Sequence, residues 1–460
     1  MASLVITSVI SAVMPLALSL SGYAYWQLFS LYLSFAGFFM LGFNDGIYQR
    51  FARRPFGDVE RRELGGHFRT VVVLCFLSAS TVALTSLYLP SQKRFAVLGV
   101  AASLTFFGVM GFMTYVQQLA GSLEVVAYST ILERLVLLGC TLCLVVSGYD
   151  DYRGYVAACV LASAARLVYL WCRTRRIFLR PPSVESSRVA EFREVTSQGF
   201  PIMLSILLSG SIVIPSRLVV ERYYGPESFA LYSFALTVVF VAGAVLTSVS
   251  QAAFPMLARV AERDQVGVVQ RAHSTLVVAG SVLLLFYFLA DFLITKFYPS
   301  FIDSLDFLVF LFPLLIFQSK HLLLLCNVMR ARERLWRLVI MAASGMLINW
   351  VVAAAAVSMT YSVVGLSVLV LVGYGIWQSI WWRVELGGRA LVVHRWDLVE
   401  LVVVVAFVVC TTAPGWLHLR SGALPVSVVS YLCVLLALGL CTRSHTGAAI
   451  GMLTRRLGAG

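Results

Sequence analysis

The sequence contains little charge. Asp, Glu, Lys and Arg together form 12% of its 460 residues, about half of their usual share in soluble proteins. Hydrophobic residues form 60% of the chain, and its mean hydropathy is +0.88. A chain of this composition cannot cover several soluble domains with polar surface, so it is not a soluble multidomain protein. We expect one membrane domain.

Acidic residues are scarcer than basic ones. The chain has 22 Asp and Glu against 35 Lys and Arg, which gives a formal net charge of +13. The basic residues are spread over many short loops rather than gathered on one soluble element. This dispersal is not typical of a nucleic-acid-binding surface, and we expect no nucleic-acid partner.

Cysteine shows no pattern of metal or redox chemistry. All nine cysteines lie within or at the ends of apolar segments. Cys140 and Cys143 have a CxxC spacing, but they lie in an apolar helix with no cluster of further ligands nearby. We therefore expect packing residues, with no metal site and no bound cofactor.

Long apolar runs dominate the sequence. About fourteen stretches of near 18–25 residues follow one another, with no alternation of period two, which predicts transmembrane helices rather than barrel strands. The predicted fold class is an all-α polytopic membrane protein. The approximate spans are 3–20, 24–44, 70–90, 95–116, 129–148, 155–172, 199–220, 229–250, 274–295, 306–326, 338–357, 362–382, 398–413 and 424–441.

The distribution of Lys and Arg predicts the topology. Placing the connections alternately on two sides puts about 26 of the 35 basic residues on one side, which the positive-inside rule identifies as the cytoplasm. Both termini are then cytoplasmic. The outer connections, such as 149–154 and 358–361, are too short for an outer catalytic loop. We therefore expect no catalytic residues and a transporter rather than an enzyme.

The two halves of the chain repeat one pattern. The second and eighth predicted helices begin alike: Gly22, Leu28, Ser30 and Leu33 coincide, at one constant offset, with Gly225, Leu231, Ser233 and Leu236. Two copies of six helices each have the same orientation in the membrane and can enclose a central cavity. The predicted domains are an N-terminal lobe at 1–172, a cytoplasmic linker at 173–198, a C-terminal lobe at 199–397, and two further helices with a tail at 398–460.

Short motifs in both halves resemble those of a known family. They are Gly22 to Leu33, Leu41 to Ile47 with Arg50, Gly199-Phe200-Pro201, Arg217-Leu218-Val219, and Phe254 to Arg259. Together with the helix pattern, they are similar to the MOP exporter superfamily, and within it to the Wzx-like flippases that translocate O-antigen and exopolysaccharide precursors. Ser216 stands before Arg217 where this family often has an acidic residue, so a charge-paired role does not transfer to that position.

The resemblance implies a function. A protein of this kind moves an undecaprenyl-diphosphate-linked oligosaccharide from the inner to the outer leaflet of the bacterial cytoplasmic membrane by alternating access. It also implies coupling to protons or sodium, contacts with membrane lipids, and cooperation with the polysaccharide polymerase machinery.

Basic residues inside the predicted spans are candidates for cargo binding. An ionised group in hydrocarbon costs several kcal/mol unless it has a partner, an aqueous cavity or a path to the interface. Arg166 lies near mid-depth, Lys320 in the inner half of its helix, and Arg217 near an outer end. We expect these three, with Arg50, to bind the diphosphate. For Arg217 and Lys320, snorkelling to the nearer interface is the alternative.

Asp291, Asp45, His321 and Gln318 are the candidates for ion coupling or gating. Asp291 and Asp45 are the principal acidic residues expected near the membrane, at the outer end of one helix and the inner end of another. For Asn44-Asp45-Gly46, the simpler interpretation is that Gly46 caps the second helix. For His321, it is a packing role.

The oligosaccharide flippase has three alternatives: a multidrug exporter, a flippase for the peptidoglycan precursor, and a membrane polymerase or ligase. Deep charges that are mainly positive favour an anionic cargo, against a multidrug exporter that would need buried acids. A flippase for the peptidoglycan precursor has the same kind of anionic cargo and stays open. A membrane polymerase or ligase is disfavoured by the short outer connections.

Overall fold

The protein is described by a computed structural model, which covers residues 2–52, 58–178, 188–258, 262–359, 362–386, 395–416 and 425–436. Within these ranges every regular element is a helix, and the predicted all-α class is confirmed. The contacts divide the chain into two compact units. The first is Met1–Ile214 with Gly225–Ala230, and the second is Pro215–Tyr224 with Leu231–Gly460. The predicted lobe and linker boundaries stay a prediction.

The first unit consists of a bent opening segment followed by long helices. Its elements are α1 (Ala2–Ala17), α2 (Leu20–Leu33), a 3-10 turn (Ala36–Met40), α3 (Phe43–Phe51), α4 (Asp58–Ser86), α5 (Ser91–Leu119), α6 (Leu123–Val146), α7 (Tyr152–Phe178) and α8 (Arg188–Gly210). Helix α7 packs on α4, α5 and α6, so it is central to this unit.

The second unit contains the remaining helices, although α9 and α10 each begin in the first unit. Its elements are α9 (Ile214–Tyr223), α10 (Gly225–Ala258), α11 (Glu262–Leu283), α12 (Phe286–Phe297), a 3-10 turn (Pro299–Ser304), α13 (Leu305–Leu311), α14 (Leu314–Ser319), a π-helical turn (Lys320–Leu325), α15 (Cys326–Ala331), α16 (Leu335–Met359), α17 (Val363–Leu386), α18 (Arg395–Trp416) and α19 (Pro425–Leu436).

The helices form a multi-pass membrane protein. Among the described residues, 9 helices are long and apolar enough to cross a membrane, and three bent pairs raise the number to 12. Each of the predicted spans overlaps one of these or one of the shorter apolar helices, α1 and α19. The count of fourteen crossings stays a prediction, because these two helices are shorter than the 9 helices and three bent pairs that are long enough to cross.

The predicted cap at Gly46 is wrong. The chain bends at Leu41 and Gly42, which have φ of 51° and 76°, and a new helix, α3, begins at Phe43. Gly46 lies inside α3, where a side chain would strike the backbone of Val195 in α8. Glycine at this position therefore permits a close helix crossing rather than the end of a helix.

Candidate functional site

Arg166 forms an ion pair with an acidic residue of the neighbouring helix. Its Nη1 lies 2.9 Å from Oε2 of Glu133. Arg166 Nη2 donates to the hydroxyl of Thr114 at 3.3 Å, and the Ser163 hydroxyl donates to Oε1 of Glu133 at 3.3 Å. The two charged side chains are 19% and 14% exposed. This four-residue group, which we call the Arg166 cluster, joins α5, α6 and α7.

The Arg166 cluster lies deep in the helices. At 1.5 Å per residue, Glu133 is about 15 Å from the start of α6 at Leu123. Arg166 is about 14 Å from Arg175, where the apolar part of α7 ends. Both distances are near half of a hydrocarbon core of about 30 Å. The ion pair is therefore close to the middle of the bilayer.

Arg166 keeps unused hydrogen-bonding capacity. Its Nε is buried and has no hydrogen-bond partner among the described residues. A guanidinium has five N–H donors in a fixed planar arrangement that matches phosphate oxygens. The arrangement can therefore hold Arg166 neutralised at rest and still offer it to an anion.

Lys320 lies at the centre of a second group of charges. Its Nζ is 3.0 Å from Oδ1 of Asp397 and 2.8 Å from Oε2 of Glu400. Nε2 of His273 lies 3.1 Å from the same oxygen of Glu400. The Lys320 ammonium lies 4.5 Å from the centroid of the Trp382 ring. We call these five residues the Lys320 cluster.

The backbone positions Lys320 through a local change of helix type. After α14, residues Lys320–Leu325 form a π-helical turn, a feature often found at functional positions. The side chains of His273, Asp397 and Glu400 also bring possible metal-ligand atoms within 4.8 Å of one another. Because the Lys320 ammonium already bonds both carboxylates, we assign the positive charge at this place to Lys320 and not to a metal.

An apolar groove of about 660 Å³ adjoins the Lys320 cluster. Helices α17 and α18 supply most of its wall, with Phe310 and Phe317 from the preceding bent pair. Its polar lining residues are Ser379, Arg383, Asp397 and Glu400. Two members of the Lys320 cluster therefore line a groove within the second unit.

The other two predicted cargo-binding cations have different surroundings. Arg217 is buried in α9 and donates to the hydroxyl of Ser233 at 3.3 Å, so it does not extend outward to the surface. Nη1 of Arg50 lies 3.8 Å from Glu191 and 3.9 Å from Glu194 of α8. His67 also approaches Glu191, at 3.4 Å.

The four predicted coupling residues are held by separate neighbours. Asp45 accepts a hydrogen bond from Tyr115 at 2.7 Å, and Asp291 accepts one from Thr295 at 3.3 Å. The buried His321 contacts the thiol of Cys326 at 3.4 Å.

The fourth of them, Gln318, is half-buried, and its side chain lies against Gly243 of α10. Nothing in these contacts gathers Asp45, Asp291, His321 and Gln318 into one centre.

Comparison with known proteins identifies the family. The family model described as "Polysaccharide biosynthesis protein" matches residues 9–261, more than half of the chain. The chain belongs to this family. The match to the polysaccharide biosynthesis proteins includes the Arg166 cluster and Arg50, whereas the Lys320 cluster lies beyond it. No curated protein sequence matches the chain.

Solved structures show that the chain has the fold of MOP superfamily transporters. The lipid II flippase MurJ in an inward closed conformation matches with a TM-score of 0.66 at 11% identity, over 96% of this chain and 99% of that one. An inward-facing MATE family multidrug resistance transporter matches with a TM-score of 0.64 at 13% identity, over 88% of this chain and 95% of that one. A MOP superfamily transporter from Pyrococcus furiosus, described as having a binding pocket of reverse polarity, matches with a TM-score of 0.55 at 11% identity, over 88% and 94%.

These matches confirm that the chain has the predicted fold. The solved proteins with this fold are transporters and a flippase, and the family model describes a polysaccharide biosynthesis protein. At such low identities, the solved structures establish the fold of the chain and not its cargo.

The acidic partners of the deep cations were missed. The expectation that Asp291 and Asp45 are the principal acids near the membrane is wrong, because Glu133 and Glu400 pair with Arg166 and Lys320. The signal was present in the sequence: both glutamates fall inside the predicted spans 129–148 and 398–413, and an acid in a span is itself a candidate partner. His273 and Trp382 gave no comparable signal.

Proposed function

We propose that this protein is a flippase for an undecaprenyl-diphosphate-linked oligosaccharide, which it moves from the inner to the outer leaflet of the bacterial cytoplasmic membrane. The observation that carries the proposal is the Arg166 cluster, which places a guanidinium with a free donor near the middle of the bilayer. Membership of the polysaccharide biosynthesis family supports the class of cargo.

The mechanism rests on an exchange of partners at Arg166. A diphosphate cannot cross hydrocarbon unless its charge is compensated along the way. At rest, Glu133 neutralises Arg166, so this guanidinium is not an isolated charge in the membrane. An arriving diphosphate accepts hydrogen bonds from the guanidinium, including one from its free Nε. Competition with Glu133 keeps this binding moderate, which allows the cargo to leave again.

Lys320, Arg217 and Arg50 are proposed as further contacts for the anionic cargo. Lys320 is held by two carboxylates in the same way as Arg166 is held by one. A charged side chain with a fixed internal partner can pair with the cargo and then return to that partner. It is therefore never unpaired in hydrocarbon.

Reconstitution into liposomes tests the proposal. Purified protein is given lipid-linked oligosaccharide in one leaflet, and a membrane-impermeant glycosidase measures how much reaches the other. Arg166→Ala should slow transfer roughly 10- to 100-fold, since hydrogen bonds to a charged group are each worth about 1.5–3 kcal/mol. Arg166→Lys should have an intermediate effect, because it keeps the charge but loses the planar donors.

Arg153→Ala is the matched control. Arg153 lies on the same helix, α7, and also pairs with an acid, Asp151, but both side chains are at least 40% exposed. This variant should transfer cargo at the wild-type rate. Undiminished transfer by Arg166→Ala would remove Arg166 from the mechanism, and a wild type that moves a cationic dye but no lipid-linked glycan would overturn the proposed function.

A flippase for the peptidoglycan precursor is the second candidate, because the lipid II flippase MurJ shares the fold over nearly all of both chains. Both cargoes have a diphosphate, so Arg166 serves either. Liposomes containing equal amounts of lipid II and of a diphosphate-linked oligosaccharide without peptide distinguish the two. Faster transfer of lipid II would favour the second candidate.

A further inference from the structure

Asp45 of α3 is an acid that no cation neutralises among the described residues. Glu133 has Arg166 as its partner, and the basic residue of α3, Arg50, lies against two acids of α8. Oδ1 of Asp45 accepts a hydrogen bond of 2.7 Å from the Tyr115 hydroxyl. The Asp45 side chain is half-buried. Because a carboxylate without a cation is unfavourable against hydrocarbon, its open side faces water or a polar ligand.

Two tyrosine rings lie beside Asp45. Tyr48 is three residues further along α3, so its side chain is on the same face of the helix. The rings of Tyr48 and Tyr115 have centroids 4.8 Å apart and an angle of 30° between their planes. Tyr48 is 36% exposed, so the pair of rings has an open side. We call Asp45, Tyr48 and Tyr115 the Asp45 cluster.

The Asp45 cluster adjoins the Arg166 cluster. Thr114, which accepts a hydrogen bond from Arg166, and Tyr115 are consecutive residues of α5, with Cα atoms about 3.8 Å apart. Tyr115 is about 6 Å from the end of α5 at Leu119, whereas Arg166 is about 14 Å from the end of the apolar part of α7. The Asp45 cluster therefore lies next to the Arg166 cluster, toward the predicted cytoplasmic side.

The chemistry of the Asp45 cluster suits an uncharged sugar. A sugar ring has faces of C–H groups, which pack on the negative face of an aromatic ring, and a rim of hydroxyl donors. A carboxylate accepts strong hydrogen bonds from such hydroxyls. A phosphate would be repelled by Asp45, because the two have the same sign of charge.

An organic cation is the other ligand that a carboxylate and two aromatic rings can bind. The family model favours the sugar, because residues 9–261, which include the whole Asp45 cluster, match a polysaccharide biosynthesis protein. The guanidinium of Arg166 in the adjoining cluster also makes this place less favourable for a cation.

We propose that the Asp45 cluster binds the first sugar of the lipid-linked oligosaccharide, the one joined directly to the diphosphate. This proposal rests on the proposed function: with the diphosphate at Arg166, the attached sugar lies beside Tyr48 and Asp45. Tyr48 stacks on a face of the sugar, and Asp45 accepts hydrogen bonds from its hydroxyls. Tyr115 is a positioning residue that holds both. The cluster thereby selects the cargo by its first sugar, a role that differs from the coupling or gating expected for Asp45.

Binding to the full-length protein in lipid nanodiscs tests the proposal. The probes are a polyprenyl diphosphate without sugar and the same lipid carrying glucose, galactose or N-acetylglucosamine. At least one sugar-bearing lipid should bind about tenfold more tightly than the bare lipid, as expected for a hydrogen bond to a charged group. Asp45→Asn and Tyr48→Leu should each remove most of this preference without weakening the binding of the bare lipid.

Two outcomes of this comparison would overturn the proposal. One is an equal affinity of the wild type for all the lipids. The other is a loss of affinity in Asp45→Asn and Tyr48→Leu that is as large for the bare lipid as for the sugar-bearing ones, which would indicate a structural role. Tyr128→Leu is the matched control, because Tyr128 is a 60% exposed tyrosine of α6 outside the cluster. It should keep the preference of the wild type.

Tyr115→Phe separates the sugar contact from the hydrogen bond between Tyr115 and Asp45. This variant keeps the ring beside Tyr48 and the carboxylate but removes the hydroxyl that orients Asp45. It should reduce the sugar preference less than Asp45→Asn does. A reduction as large as that of Asp45→Asn would show that the internal hydrogen bond matters and that the carboxylate does not contact the sugar.

Methyl glycosides of the same three sugars test the site without any diphosphate. Saturation-transfer NMR should show contact between the protein and the ring protons of at least one of them, and Asp45→Asn and Tyr48→Leu should weaken the signal. Binding of tetraphenylphosphonium through Asp45, with no glycoside signal, would overturn the proposal in favour of a cation site. If a glycoside binds through Asp45 but no lipid diphosphate binds, the proposed function fails and the sugar site stands. If the diphosphate binds through Arg166 and a sugar adds nothing, the sugar site fails alone.

Discussion

Arg166 and Glu133 illustrate how a membrane helix tolerates an ionised side chain. An ion pair in hydrocarbon recovers only part of the hydration energy that its members lose, so a pair of apolar residues is often as stable. A single member left without its partner is much worse, because its charge is then uncompensated. Stability and transport should therefore respond differently to changes at these two positions.

We predict this difference for a set of three variants. Glu133→Leu and Arg166→Leu should each lower the free energy of unfolding by about 3 kcal/mol, the low end for buried pairs because both side chains are partly exposed. The double variant, with Leu at both positions, should recover most of this loss. Unfolding of the purified proteins in detergent by a chemical denaturant measures the three values.

Transport separates the structural and functional roles of the pair. The double variant should be stable and yet transfer lipid-linked oligosaccharide poorly, because it has no guanidinium for the diphosphate. A stable double variant with wild-type transfer would show that the Arg166 cluster serves folding alone.

At the scale of elements, glycines allow helices α3 and α8 of the first unit to pack closely. Gly42 and Gly46 are four residues apart at the start of α3, and Gly199 of α8 lies against both. A Cβ atom on Gly46 would strike the carbonyl of Val195, and one on Gly199 would strike the backbone at Gly42 and Gly46. Small residues with this spacing allow two helix backbones to touch.

We predict that Gly46→Ala and Gly199→Ala each destabilise the protein by about 1–3 kcal/mol, the usual cost of overpacking. The obstacle in both cases is backbone, which cannot rotate away as a side chain can. Thermal unfolding of the detergent-purified variants measures the effect. Gly139→Ala in α6 is the matched control, since nothing lies within 4 Å of its added methyl group. Equal melting temperatures for all three variants would contradict this account.

The helices themselves could be predicted from the sequence, but their pairing could not. A run of apolar residues that crosses a bilayer must be helical, because no water is present to pair its backbone groups. Every predicted span accordingly overlaps a described helix or bent pair. Composition gives no comparable signal for which helices touch. The sequence therefore predicted the end of the second helix at Gly46 and not at Gly42. It also did not predict that Glu133 pairs with Arg166, although α6 and α7 are consecutive.

The Lys320 cluster shows the same limit more strongly. Its members come from α11, the π-helical turn, α17 and α18, which are separated by up to 127 residues of sequence in the contact of His273 with Glu400. The basic residue alone could be recognised, because a charge inside an apolar run is conspicuous. His273 has no such mark, since its predicted position was at the edge of a span.

For the whole molecule, the number of membrane crossings depends on two short apolar helices, α1 and α19. Helix α1 has 16 residues and a length of about 24 Å, and α19, with 12 residues, is about 18 Å long. Both are shorter than a hydrocarbon core of about 30 Å. A short helix can still cross if the bilayer thins locally, at a modest cost per ångström of mismatch.

We predict that α1 does cross the membrane, because the excess of Lys and Arg on one side of the chain is then consistent with a cytoplasmic N-terminus. In a cysteine-free background, a membrane-impermeant maleimide applied to intact cells should label Ser21→Cys, and should label Ala2→Cys only after the cells are permeabilised. Asp150→Cys and Glu124→Cys, at the outer and inner ends of α6, are the controls for the two sides. Labelling of Ala2→Cys on intact cells would place the N-terminus outside. It would also remove one crossing from the first half of the chain. Five crossings would then precede the second half, so the two predicted copies could not have the same orientation in the membrane.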